Sequence, residues 1–160
     1  LRKVLPPYYR ECQTWELVYS IIDHGASLST LLLNCSETYL TGSFILAILD
    51  SDGYIFGAYL SEIIHVSQRF YGSGECFLWR LNNEKKEIEY YRGSIENQYH
   101  IVTEKSFIAF GGGNGEFGLY ISNDLLNGYT TPCPTYHNPP LTPKCKFECV
   151  NIEIWGFNFK

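Results

Sequence analysis

The stretch FGGGNGEFGLYI, residues 110–121, contains G-x-G-x-x-G at Gly113, Gly115 and Gly118. In a dinucleotide site that pattern opens a helix, whose unpaired N–H groups hold the pyrophosphate. Here Phe117, Leu119 and Ile121 alternate with Gly118, Tyr120 and Ser122. Period-two alternation belongs to a strand. No βαβ unit follows, and no acidic residue takes the ribose position. The stretch therefore reads as a hairpin between the strands SFIAF and FGLYIS, with glycine permitting positive φ or a close backbone approach. It can also serve as a glycine-lined surface that a partner's backbone approaches.

Working outward, the same period recurs. WELVYS (15–20) reads as a strand with Trp15, Leu17 and Tyr19 on one face. Ser27 can cap a helix over LSTLLLNCS, with Leu28, Leu31 and Leu32 turned toward a sheet. FILAILD (44–50) is apolar almost throughout, as a central strand covered on both faces would be. Ser51-Asp52-Gly53 turns it back into the antiparallel YIFGAYL (54–60). Further strands are expected at 76–81, in IEYYRG, and at 98–102. Residues 124–128 read as a turn. Residues 129–143 hold five of the seven prolines, so an irregular loop is expected there. KCKFECVNIEIWGF reads as one long strand. Its apolar phase moves from Cys145, Phe147 and Cys149 to Val150, Ile152 and Ile154, which calls for a bulge near Cys149 and Val150. These elements predict an α+β fold, mostly antiparallel β, arranged as a two-sheet sandwich with short peripheral helices.

With 160 residues and 45% apolar content, a single domain over 1–160 is expected. The net charge of −5 and the absence of a basic cluster argue against nucleic acid. No apolar run reaches the roughly 18–20 residues that span a bilayer, so no membrane insertion is expected. The opening residues from Leu1 do not read as a charged-then-apolar leader. Leu1 is not an initiator methionine, so the chain is expected to be the C-terminal part of a longer one. Six sparsely spaced cysteines favour free thiols in a reducing compartment. Asn34-Cys35-Ser36 is then a sequon by chance.

No constellation singles out a catalytic centre. Cys133, His137, Cys145 and Cys149 are zinc-ligand types, but Cys145 and Cys149 on one strand would lie ~13 Å apart. Asp50-Ser51-Asp52-Gly53 lacks the later ligands of a calcium loop. There is no G-x-S-x-G elbow. Glu75 and Glu116 beside glycine turns are a weak carboxylate pair. Cys145, between Lys144 and Lys146, is the best reactive-thiol candidate, although alternate lysines would face away from it. Neither a metal, a cofactor nor a catalytic residue is expected.

Seven collinear blocks resemble the TLDc domain of the oxidation-resistance family. They are LPPYYRECQTWELVYS, HGASLSTL, IFGAYLSE, FYGSGECFLWRL, FGGGNGEFGLYIS, CPTYHNPPL and IEIWGF, and they run from Leu5 to Phe157. The chain departs from the family in two places. IIHVSQ stands where a Trp is usual, and Thr135-Tyr136 stands where Thr-Phe is usual. The resemblance implies a sandwich with outer helices. It implies a monomeric cytoplasmic module that binds the vacuolar proton-pumping ATPase at its soluble sector and peripheral stalk. It also implies regulation of that pump, recruitment to vacuolar or lysosomal surfaces, mitochondrial or nuclear forms, and a role in oxidative-stress resistance. It brings no established reaction; a thiol-dependent oxidant scavenger is the alternative. The partner-binding positions it suggests are Gly25, Ser27, Gly57 and Gly112, which also serve turn geometry and sheet packing.

Overall fold

Ten antiparallel strands carry the fold, and one of them belongs to two sheets. In the computed structural model, which describes residues 1–159, the strands are β1 (Thr14–Ser20), β2 (Phe44–Asp50), β3 (Ile55–Leu60), β4 (Phe77–Asn82) and β5 (Glu87–Arg92). They continue with β6 (Ile101–Thr103), β7 (Phe107–Phe110), β8 (Leu119–Ser122), β9 (Asn127–Thr130) and β10 (Lys146–Asn158). Short helices α1 (Pro7–Arg10) and α2 (Ile21–His24) accompany the longer α3 (Leu28–Glu37). One sheet runs β5-β4-β3-β2-β10-β1, the other β6-β7-β8-β9-β10. Strand β10 enters the second sheet through Lys146–Glu148 and the first from Cys149 onward. The architecture is the α+β two-sheet sandwich expected from the alternating patterns.

The crossing point is a bulge. Cys149 pairs with Asp50 and Asn151 with Leu49, which leaves Val150 without a partner. The extra residue resets the phase, so Ile152 and Ile154 are buried while Val150 faces out. The sequence located the bulge but placed Val150 on the buried face.

Leu46, Ile48, Phe56 and Leu78 of the first sheet meet Ile108, Phe110, Leu119 and Ile121 of the second in one core. Each such buried side chain contributes about 1.5–3 kcal/mol. A smaller cluster lies on the outer face of the first sheet, where Leu5 and Cys12 of the N-terminal segment cover Ile45, Tyr59, Phe77, Trp79 and Phe157. This explains the apolar run of β2, in which Leu46 and Ile48 point inward and Ile45 points under the N-terminal segment. The cover ends before Leu49, which is exposed.

Three local expectations need correction. Trp15 packs on the outer cluster and Tyr19 in the inner core. A register shift between Leu17 and Tyr19 breaks the alternation that would have kept them together. Residues 98–100 turn instead of extending, with His100 N donating to Gln98 O at 2.9 Å, so the strand begins at Ile101. Residues 127–130 form β9, because β8 and β10 flank them with ladder partners. The α3 expectation holds: Ser27 Oγ accepts from Thr30 N at 3.4 Å, and Leu28, Leu31 and Cys35 are buried. Asn34 donates to Val18 O at 3.0 Å from within that helix, which makes the sequon asparagine a helix-to-strand tie.

Candidate interaction surface

The glycine hairpin closes with Phe110 paired to Leu119. Gly111 has φ +80°, and a β-carbon there would lie 2.6 Å from the Cys133 sulfur. Both the angle and the approach therefore demand glycine. The residues after the loop extend as β8, without the helix N-terminus that a pyrophosphate needs.

Two irregular segments clamp this hairpin. From residues 132–138, Thr135 Oγ1 accepts from Gly112 N at 2.9 Å and donates to Asn97 Oδ1 at 2.7 Å. From residues 94–100, Asn97 Nδ2 donates to Gly112 O at 3.3 Å. Ser94 ties the two segments together: its N–H donates to Thr135 O at 2.6 Å and its hydroxyl to Pro134 O at 2.7 Å. Asn114 Nδ2 donates to Pro132 O at 3.2 Å. Asn138 holds the proline segment to itself, accepting from Cys133 N and donating to Thr131 O. Phe70 stacks on Tyr99 with centroids 4.8 Å apart. Backbone without regular ladders is thus fixed by side chains, as buried polar groups require.

Beneath the platform lies His100, which is fully buried. Its Nε2 faces Gln98 Oε1 at 3.1 Å and its Nδ1 faces the Tyr136 hydroxyl at 2.9 Å. Gln98 Oε1 can only accept, so Nε2 carries the proton and Nδ1 accepts from Tyr136. Burial lowers the imidazole pKa and pushes the Tyr136 phenol well above its ordinary value. The Tyr found where the resembling family has Phe therefore satisfies a buried histidine. At the other departure, His65 stacks on Tyr71 with centroids 4.1 Å apart.

Ile95 projects from this platform and is 100% exposed. Its neighbours are fixed. Glu96 N donates to Ser94 Oγ at 3.2 Å, and the Glu96 carboxylate lies 3.1 Å from His137 Nε2. His137 holds φ +47°, a left-handed angle uncommon outside glycine. Tyr99, four residues on from Ile95, is 43% exposed. The result is a polar-rimmed knob with an apolar tip.

The positions expected from the sequence do not form one site. Gly112 sits in the platform with both its N–H and carbonyl engaged. Gly25 ends α2 at φ +88° and its carbonyl accepts from Tyr19 OH, while Ser27 caps α3. That pair lies by the turn after β8, where Leu28 N donates to Asn123 O at 3.0 Å. It is at the far end of β8 from the hairpin, about 10 Å or more away. Gly57 is buried in β3, where a β-carbon would lie 1.9 Å from Leu46 O and 3.2 Å from the Trp79 ring. Sequence reasoning missed Ile95, Asn97 and Tyr99, because a lone isoleucine in a polar segment leaves no periodic mark.

Catalytic chemistry finds little support in this geometry. Cys12, Cys35, Cys76, Cys133 and Cys149 are buried. Burial pushes Cys35 and Cys149 up to about 12 and raises Cys76 and Cys133. Cys145, expected on the buried face, is instead exposed, with its sulfur 2.9 Å from Thr130 O. Glu75 and Glu116 lie on exposed turns. Among the described residues no three of His, Cys, Asp and Glu converge on a metal position. A cleft of ≈ 590 Å³ beside Arg80 and Pro140 offers no spare charge at its arginine. The Arg80 guanidinium is already bonded to Glu89 at 3.1 Å and to Pro140 O at 3.0 Å. No helix of the described residues is long and apolar enough to cross a membrane.

Comparison with known proteins identifies the family. The TLDc domain family model matches residues 1–158. Oxidation resistance protein 1 of Yarrowia lipolytica is 37% identical over 160 residues, covering 97% of this chain and 69% of that protein. Its Schizosaccharomyces pombe namesake is 35% identical, covering 94% of this chain and 85% of that one. The human protein of that name is 40% identical over 143 residues, covering 89% of this chain and 16% of its own length.

Proposed function

The chain belongs to the TLDc domain family, and on that premise we propose that it is a non-enzymatic interaction module contributing to oxidative-stress resistance. Its partner is the vacuolar proton-pumping ATPase, engaged at the soluble sector and peripheral stalk, and binding shifts the assembly or activity of that pump. It acts as a monomer in the cytoplasm and meets the pump at organelle surfaces. One observation carries this reading: a fully exposed isoleucine stands on a platform whose irregular segments are tied to one another by side-chain hydrogen bonds. An apolar anchor with its neighbours already ordered binds with little further loss of conformational freedom. Gly112 supports the platform directly. Gly25, Ser27 and Gly57 bear on binding through the fold that presents it.

The accessibility of the thiols weighs against an oxidant-scavenging enzyme, since five of six are buried. The test is capture of the purified soluble sector by the folded domain. Retention of that sector supports the reading, and its failure to bind a correctly folded domain contradicts it.

A further inference from the structure

We propose that Asn114–Gly115 is a site of spontaneous deamidation and isoaspartate formation on the platform. The chain contains two Asn-Gly pairs, 114–115 and 127–128, and the fold treats them in opposite ways. Asn114 and Gly115 are both exposed at the hairpin tip. Gly115 has φ +90°, nothing within 4 Å of its β-carbon position, and among the described residues no acceptor for its N–H. That nitrogen is the nucleophile. The Asn114 carboxamide is its target, and Oδ1 accepts from Glu116 N at 3.3 Å, which draws electron density from Cγ. Asn127 and Gly128 instead lie in β9 with β8 on one side and β10 on the other. A β-carbon on Gly128 would meet Tyr120 O at 2.3 Å, so that backbone has no room to turn back on its neighbour.

The step balances without any added oxidant or cofactor. The Gly115 nitrogen loses its proton to solvent base and bonds to Asn114 Cγ. The Cγ–Nδ2 bond breaks, and the departing nitrogen takes up protons and leaves as ammonia. Water then opens the succinimide at either carbonyl. Opening at one gives aspartate; opening at the other gives isoaspartate, whose main chain is one methylene longer.

The consequence is local. Nδ2 is the donor to Pro132 O at 3.2 Å, and a carboxylate oxygen there faces a carbonyl oxygen instead. One tie between the hairpin and the proline segment is lost, and a negative charge appears next to Glu116. The site is therefore a slow, irreversible modification of the candidate docking surface, and its chemistry does not depend on what docks there.

Peptide mapping by mass spectrometry tests this on the intact chain aged at mildly alkaline pH, with isoaspartyl methyltransferase labelling to identify the longer linkage. In the folded protein, conversion at Asn114 is expected to outpace that at Asn127 by at least about tenfold, because Asn127 reacts only after local opening of its ladder. In urea the two rates are expected to converge. Equal rates in the folded protein would overturn the proposal, as would persistence of the tenfold difference in urea. Asn114→Gln, which places no strain on the backbone, is expected to abolish labelling in the 114 peptide. Labelling that survives there would equally overturn it.

Discussion

Replacing Tyr136 with Phe tests how the platform is supported. The phenol is buried, and its hydroxyl lies 2.9 Å from His100 Nδ1, the imidazole nitrogen that lacks a proton. Two effects follow from Tyr136→Phe. The hydrogen bond is lost, with a net value of about 0.5–1.5 kcal/mol, and a buried acceptor is left unpaired at about 1–3 kcal/mol. The second effect contains the first and decides the outcome. A loss of about 2 kcal/mol lowers Tm by about 4–8 °C in a domain of this size. Urea unfolding followed by tryptophan fluorescence should show a lower midpoint with an unchanged m-value. The double variant His100→Leu/Tyr136→Phe should lose less than the sum of the two single changes, because removing both partners leaves no orphan. A loss below about 0.5 kcal/mol in Tyr136→Phe, or strict additivity in the double variant, would refute the pairing.

Other outcomes follow from the same geometry. His100 resists protonation when folded. Its contribution is therefore complete above the unfolded pKa of about 6.5 and is lost as pH falls from there toward the folded value, by up to about 1.4 kcal/mol per pH unit. Urea titrations at neutral pH and about one unit below 6.5 should show this drop in the wild type and a smaller one in His100→Gln. Gly57→Ala drives a methyl into Leu46 O and should destabilise by about 1–3 kcal/mol or more, whereas Ser27→Ala removes only a long cap bond and should cost about 0.5–1 kcal/mol. Thermal melts distinguish the two. A thiol reagent should label Cys145 in the folded chain and the remaining five cysteines only after unfolding, as mass counting would show.

Elements whose apolar residues recur at a fixed period were legible in the sequence. The hairpin strands follow from side-chain alternation, α3 from helical spacing and its cap, β2 from its continuous apolar run and β3 from the turn that returns it, and even the β10 bulge left a phase change at Cys149 and Val150. What could not be read depends on neighbours distant in sequence. β9 exists because β8 and β10 flank a Gly-Tyr segment whose own propensity signals a turn. The β1 register shift separates Trp15 from Tyr19 although their spacing puts them together. The platform is the extreme case. Thr135, Asn97 and Gly112 meet across separations of 38 and 23 residues, so no local pattern announces them. Their polarity resembles that of any loop until the hydrogen bonds are seen.

Ile95→Asp tests the central claim most directly. Ile95 makes no buried contact, so its replacement should leave Tm and the urea midpoint unchanged. Titrating the purified ATPase soluble sector against wild type and variant compares binding on an intact fold. If Ile95 is the docking anchor, the variant should lose about 2 kcal/mol or more, roughly a thirtyfold rise in Kd. Equal affinities with wild type binding normally would contradict the claim that this platform is the docking surface.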